Sequence, residues 1–308
     1  LLEAEEHLAM HTTGRSAALL LENDGTRSIR SLVRASVEFL RGPPEELTDV
    51  RVVVPREVMH VGDRDQSGSI DRLLAENASG VIPTIEISAD EARSRFPALR
   101  LEAVDRVALD AGAADIDVHG LHQAYLRGLR RAGGRVATSH RVDAAVSDGD
   151  GWRLDTTGGN LTADVLINTA GAWGDMVALR AGMPVVGLEP RRRTAFNVAG
   201  PGPEVAGWAM LADVDMRYYV KPDGTQLLCS LAEENPSEPC DARPEESDVA
   251  LAIDRINAAT TLGIRAVNSA WTGLRTFVPD RSMVIGPEPG HPSFIWCVGQ
   301  GGTGIMTS

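Results

Sequence analysis

Cysteine is scarce: Cys229, Cys240 and Cys297 are the only three in 308 residues, odd in number and far apart. That excludes a disulfide framework and a C-x-x-C metal site, so no metal centre is expected and a reducing, cytoplasmic setting fits. Long apolar runs are missing as well. The longest, such as 50–54 and 163–167, fall far short of the roughly 20 residues that span a bilayer, so no transmembrane helix is expected. Basic charge is also in deficit. A net charge of -13, with arginines scattered except at Arg191, Arg192 and Arg193, repels phosphate backbones and excludes nucleic acid as a partner. A small-molecule substrate remains. The start, Leu1-Leu2-Glu3, lacks a methionine and a basic signal region. It reads as following an absent strand, glycine-rich turn and helix of about 30 residues.

With 43% hydrophobic residues over this length the chain buries a large core, as one large or two interleaved domains. Residues 14–22, with small Ser16, Ala17 and Ala18, suit a helix start packed against something flat. Residues 27–40 place Ile29, Leu32, Val33, Val37 and Leu40 at helical spacing, and Gly42-Pro43-Pro44 ends them. Residues 67–76, 116–132 and 245–259 also read as helices, and Ser88 with Glu91 forms a capping box. Strands are expected at 136–139, 152–156, 165–167, 194–198, 217–220, 226–230, 270–277 and 282–285, with 50–61 rich in strand formers.

The closing stretch raises a conflict. Gly299, Gly301 and Gly304 follow the apolar run 294–298 and satisfy G-x-G-x-x-G, yet only four residues remain after them, Ile305 to Ser308. A dinucleotide fingerprint needs a whole helix and an acidic residue beyond. Either the match is accidental, or these glycines serve a cofactor whose main cradle lies elsewhere.

Four stretches decide between these readings: Leu-Leu-Glu at 1–3, His-Thr-Thr-Gly-Arg-Ser-Ala-Ala at 11–18, Leu-Ile-Asn-Thr-Ala-Gly-Ala-Trp at 166–173, and Gly-Gln-Gly-Gly-Thr-Gly-Ile at 299–305. Together they resemble the D-amino-acid-oxidase-like (DAO) family of FAD oxidoreductases, and within it the D-arginine dehydrogenase branch. The resemblance implies an α/β fold, with a Rossmann-like FAD-binding domain (1–49, 111–184 and 277–308) interleaved with a substrate domain built on a largely antiparallel sheet (50–110 and 185–276). It implies noncovalent FAD, held by Glu3 at the ribose, by Thr13, Gly14, Arg15, Ser16 and Ala17, by Val142, and by Asn168, Ala170, Gly171 and Trp173. Gly301, Gly302, Thr303, Gly304 and Ile305 would bring backbone N–H groups against the flavin, with Gly301 and Gly302 permitting close approach.

For the substrate, the resemblance assigns a carboxylate clamp to Arg275 in Gly-Leu-Arg, joined by Arg193 and Tyr219, with Tyr218 as the alternative tyrosine. A guanidinium fork suits a planar carboxylate. Glu57 falls where the D-arginine branch places an acid for a cationic side chain. The pattern then departs: a histidine and a tyrosine of that branch are replaced here by Leu19 and Asp24. The expected reaction is oxidation of the carbon–nitrogen bond of a D-amino acid or related amine, with oxygen or a quinone as electron acceptor. A 2-hydroxy acid or an N-methyl glycine type of substrate, or a non-catalytic incomplete flavin-fold fragment, are the alternatives.

Overall fold

Alternating strand residues build the centre of this molecule, whose computed structural model describes residues 1–147, 149 and 151–308. Eight strands form one sheet in the order Ser269–Phe277, Glu189–Ala199, Gln226–Ser230, Tyr219–Asp223, Met210–Asp213, Val58–Gly62, Arg106–Asp110, Ile85–Ile87. All neighbours are antiparallel except Val58–Gly62 beside Met210–Asp213. The largely antiparallel sheet is therefore present.

A period of two gives this sheet two different faces. On one, Met59, Val61, Phe196, Leu211, Val220 and Leu227 are buried together with Ala252 and Ile256 of the helix Glu246–Ala259 and with Phe96, which ends the helix Ala89–Arg95. This is the helix face. The other face carries Val58, Ala195, Met210, Ala212, Tyr219 and Trp271, and meets Ala17, Leu19 and Leu21.

Smaller sheets surround it. Leu166–Asn168 runs parallel to His291–Val298, so both strands leave the sheet at the same end, into residues 169–173 and 299–304. The helix Arg27–Arg41 buries Ile29, Val33 and Leu40, begins at Thr26, whose Oγ1 accepts from the Ile29 N–H, and closes at Gly42. The Ser88 capping box forms both of its bonds.

Two expectations fail. Residues 14–22 start no helix: Leu19–Leu20 is a short strand paired antiparallel with Asp115 and Ala114. Strand alternation explains it, because Leu20 is fully buried beneath the helix Arg27–Arg41 while Leu19 meets the large sheet. Residues 136–139 make no strand either; Ala137 forms a single parallel bridge with Leu2 and has no further ladder partner. Among the described residues, no helix is long and apolar enough to cross a membrane.

Candidate active site

The glycine turn at the end of the chain docks on the edge strand of the large sheet. Gly301 N–H donates to the Thr276 carbonyl at 2.8 Å, with φ at +56°. A Cβ there would collide with the Phe277 ring, and one on Gly302 would lie 2.7 Å from Cζ of Arg275. Phe277 and Arg275 thus approach these two glycines closely on the protein side. The Gly302 and Gly304 N–H groups donate to none of the described residues.

The same edge strand receives the 11–16 turn. Thr12 Oγ1 donates to the Leu274 carbonyl at 2.7 Å, and Arg15 Nη1 donates to the carbonyls of Thr272 (2.8 Å) and Ala242 (3.1 Å). Arg15 also pairs with Asp241. Arg15 therefore ties the turn to the sheet, and with Thr12 and Gly301 it caps the edge. The Thr13 carbonyl accepts from Ser16 N–H, and Gly14 is glycine because a Cβ would strike the Ala9 carbonyl. Buried Asn168 shapes the other turn, accepting from Ala170 N–H and donating to the Gly174 carbonyl. Gly171 turns the chain at φ +53°, and Trp173 lies 4.7 Å from the His11 ring. Glu3 accepts from the Glu5 N–H, the Val142 carbonyl accepts from Arg180, Thr303 Oγ1 donates to Gln300, and Ile305 packs beneath the helix Arg27–Arg41.

These turns fit an FAD. The 169–173 and 299–304 turns sit at the carboxyl ends of adjacent parallel strands, the usual place for a ligand in such sheets, and the Gly302 and Gly304 N–H groups donate to no described residue and can meet an anion.

Arg275 stands opposite Arg191 in the ladder, and its guanidinium makes no hydrogen bond or ion pair with a described residue. It is half-buried by area yet recessed. Desolvation, and then the neighbouring Arg193, push it down to about 10 against the pull of Tyr219, Glu234 and Asp24, so it stays cationic at neutral pH. Arg193, at 8% exposure, is partly committed: Nε donates to the Glu233 carbonyl at 2.9 Å, Nη2 lies 3.5 Å from Glu234, and buried Nη1 has no partner among the described residues. Glu234 also pairs with Arg281 at 3.0 Å.

Tyr219 lies on the face that carries Arg275 and makes no side-chain hydrogen bond to a described residue, whereas Tyr218 points into the helix-face cluster. Glu57 does not join the site. Its carboxylate pairs with Arg95 Nε at 3.1 Å, on the helix that covers the opposite face.

Sequence reasoning missed His60. It follows Val58 by two residues and so shares its face, between Ala108 and Ala212 in the ladder and with Tyr219 one strand beyond. Burial lowers its pKa, opposed by the charge of Asp24. The signal was present in the alternation Val58, His60 against Glu57, Met59.

Several known proteins are similar to this chain. The hydrogen cyanide synthase subunit HcnC of Pseudomonas protegens is 25% identical over 248 residues, 77% of this chain but 58% of HcnC. The chain thus spans little more than half of that relative. Glycine oxidase from Geobacillus kaustophilus superimposes with a TM-score of 0.86 at 19% identity, covering 99% of this chain and 83% of its own. L-Proline dehydrogenase from P. horikoshii gives 0.84 at 16% identity, covering 96% and 80%. These likenesses establish the fold. Residues 1–308 match the FAD dependent oxidoreductase (DAO) family throughout, so the chain belongs to that family and FAD is its cofactor.

Proposed function

We propose that this chain oxidises the carbon–nitrogen bond of a D-amino acid or related amine. The observation that carries the reading is Arg275: a recessed, unpaired cation lying against Gly302, beside the turn suited to FAD. A buried cation without a partner is costly, and a substrate carboxylate removes that cost. Arg193 and Tyr219 complete the carboxylate side, and FAD is held noncovalently by the 11–17, 168–173 and 299–305 turns. Residues 1–49, 111–184 and 277–308 form its domain, and 50–110 with 185–276 form that of the substrate. Bound there, FAD would supply the hydride acceptor for the substrate Cα–H, leaving an imine that hydrolyses in water. The chain's own residues bind and orient.

The neighbours' names, glycine oxidase and L-proline dehydrogenase, support an amino-acid substrate. The D configuration follows the resemblance to the D-arginine dehydrogenase branch, and Leu19 and Asp24 mark an altered pocket. Oxygen or a quinone would be the electron acceptor. Two measurements test this: the visible spectrum of the purified full-length protein, and flavin bleaching by a panel of D- and L-amino acids and their 2-hydroxy analogues with an artificial acceptor. A flavin spectrum with bleaching by D-amino acids is expected. A colourless protein, or one bleached only by 2-hydroxy acids, overturns the reading.

A further inference from the structure

Arg191-Arg192-Arg193 is the longest run of basic charge in the chain, and strand alternation splits it. Arg192 shares the parity of Phe196, and its guanidinium meets Glu245 at 3.1 Å and the Arg243 carbonyl at 2.6 Å. Arg191 and Arg193 share the parity of Ala195 and so belong to the open face, where Arg275 stands directly opposite Arg191 and one diagonal step from Arg193. Diagonal cross-strand neighbours lie about 7–8 Å apart, within reach of long side chains. Gly273, directly opposite Arg193, adds no side chain beside them.

A break in the neighbouring strand brings in the acids of this corner. After Ser230 the chain leaves the ladder through Ala232, at φ +60°, and the Glu233 carboxylate accepts from the Thr194 N–H. Glu234 then lies 3.5 Å from Arg193 Nη2 and pairs with Arg281 at 3.0 Å, while Glu189 pairs with Arg191 at 2.8 Å. Four guanidiniums, those of Arg191, Arg193, Arg275 and Arg281, thus share two carboxylates, Glu189 and Glu234, and two positive charges are left over. Two further acids do not close the gap. Glu233 makes no ion pair with a described residue, and burial pushes its carboxyl up, toward the neutral form. Asp24 is exposed, so water screens its charge. The donors that stay without partners among the described residues are the Arg275 guanidinium and Nη1 of Arg193, a side chain more than nine-tenths buried.

We propose that this corner is built for a ligand with two negative charges, one carboxylate on Arg275 and a second anionic group on Arg193. The substrate class is then a dicarboxylic amine: an amino acid with an acidic side chain, or one whose nitrogen bears a carboxymethyl group. This rests on the carboxylate reading of Arg275 above and deepens it, because Arg193 serves a second anion rather than the same one. Like charges a diagonal apart repel, and a dianion between them offsets both that repulsion and their lost hydration. A neutral side chain would leave Arg193 Nη1 unmet. A cationic one would add to the excess, since Glu57 is committed to Arg95 on the helix that covers the opposite face.

The test titrates the full-length holoenzyme with acids of equal length that carry one or two carboxylates, butyrate against succinate and pentanoate against glutarate, and reads each Kd from the bound-flavin spectrum. In at least one pair the dicarboxylate is expected to bind about tenfold tighter or more, the ratio that one additional charge-assisted contact gives. In Arg193→Met that ratio falls to about twofold or less, and Arg193→Lys, which keeps the charge without the fork, retains part of it. Turnover follows the same order: in the parent, kcat/KM for D-aspartate, D-glutamate or iminodiacetate exceeds that for D-leucine and D-arginine, and Arg193→Met removes the lead. Equal affinities within both pairs in the parent overturn the proposal whether or not the variants fold, and so does a ratio that Arg193→Met leaves unchanged. Arg275→Met separates the two levels: if it binds the monocarboxylates as the parent does, the carboxylate reading of Arg275 fails instead.

Discussion

Residues one position apart on the large sheet meet opposite chemistry. Tyr218 is sunk in the helix-face cluster, where burial holds its phenol well above the usual range, while Tyr219 beside it lies on the open face near Arg275. Met59 fills the helix face, and His60 stands over alanines on the other. One face is filled with interdigitating side chains, as a core requires. The other carries Val58, Ala195, Met210, Ala212 and Tyr219 beneath Ala17, Leu19 and Leu21, and leaves the Arg275, Tyr219 and His60 side chains without a hydrogen bond to a described residue. The contrast teaches that packing and recognition here are divided by strand parity, and substitutions on the two faces should fail in different ways.

The largest effect belongs to the open face. Arg275→Met should retain FAD and the melting temperature of the parent, but lower kcat/KM for carboxylate substrates by about two to four powers of ten, since removing one partner of a buried charge pair costs about 2–5 kcal/mol. An amine lacking a carboxylate should be nearly unaffected. Loss of flavin or of the fold would make Arg275 a structural residue and erase the contrast. On the helix face the expectation reverses. Leu227, fully buried there, becomes a cavity in Leu227→Ala, which should cost about 2–5 kcal/mol in denaturant unfolding and leave the ratio of kcat/KM between substrates unchanged.

A smaller effect tests the seam between the turn and the sheet. In Gly302→Ala the new Cβ would fall 2.7 Å from the Arg275 guanidinium, the mobile end of a long side chain, so the arginine shifts and the fold survives. Kinetics should show a cost of about 1–2 kcal/mol, roughly tenfold in kcat/KM, against an unchanged unfolding transition. A normal rate would mean that Arg275 does not act from its present position.

Local signals were legible and long-range ones were not. Helical spacing and Gly42 revealed the helix Arg27–Arg41, and Ser88 with Glu91 revealed a capping box, because each rests on contacts within a turn or two. The Gly-Leu-Arg strand was legible from its apolar run. What escaped was register. His60 reaches the open face because Val58–Gly62 pairs in parallel with Met210–Asp213, about 150 residues away, and no local pattern encodes that partner. Residues 14–22 misled for a similar reason: small residues suit a helix start and a flat strand equally, and the pairing with Ala114 and Asp115 decided it. The bonds of Arg15 to Thr272, Ala242 and Asp241 also escaped, because they depend on segments far along the chain.

The smallest predicted effect is the sharpest test of parity. Sequence reasoning placed Glu57 against a cationic substrate side chain, whereas its carboxylate faces Arg95 across the helix face at 3.1 Å, with 40% of the glutamate side chain exposed. An exposed pair of this kind is screened by solvent and contributes about 0–1 kcal/mol. Glu57→Gln keeps the shape of the side chain and a carbonyl oxygen that still accepts from Arg95. The expected cost is therefore a few tenths of a kcal/mol, about 1 °C or less in melting temperature, with kcat/KM for D-arginine, D-lysine and D-leucine shifted by the same small factor. The comparison among substrates matters more than the size of any one change. If D-arginine and D-lysine weaken severalfold while D-leucine does not, Glu57 reaches the substrate from the supposedly closed face, and the division of labour between the two faces is wrong at that strand.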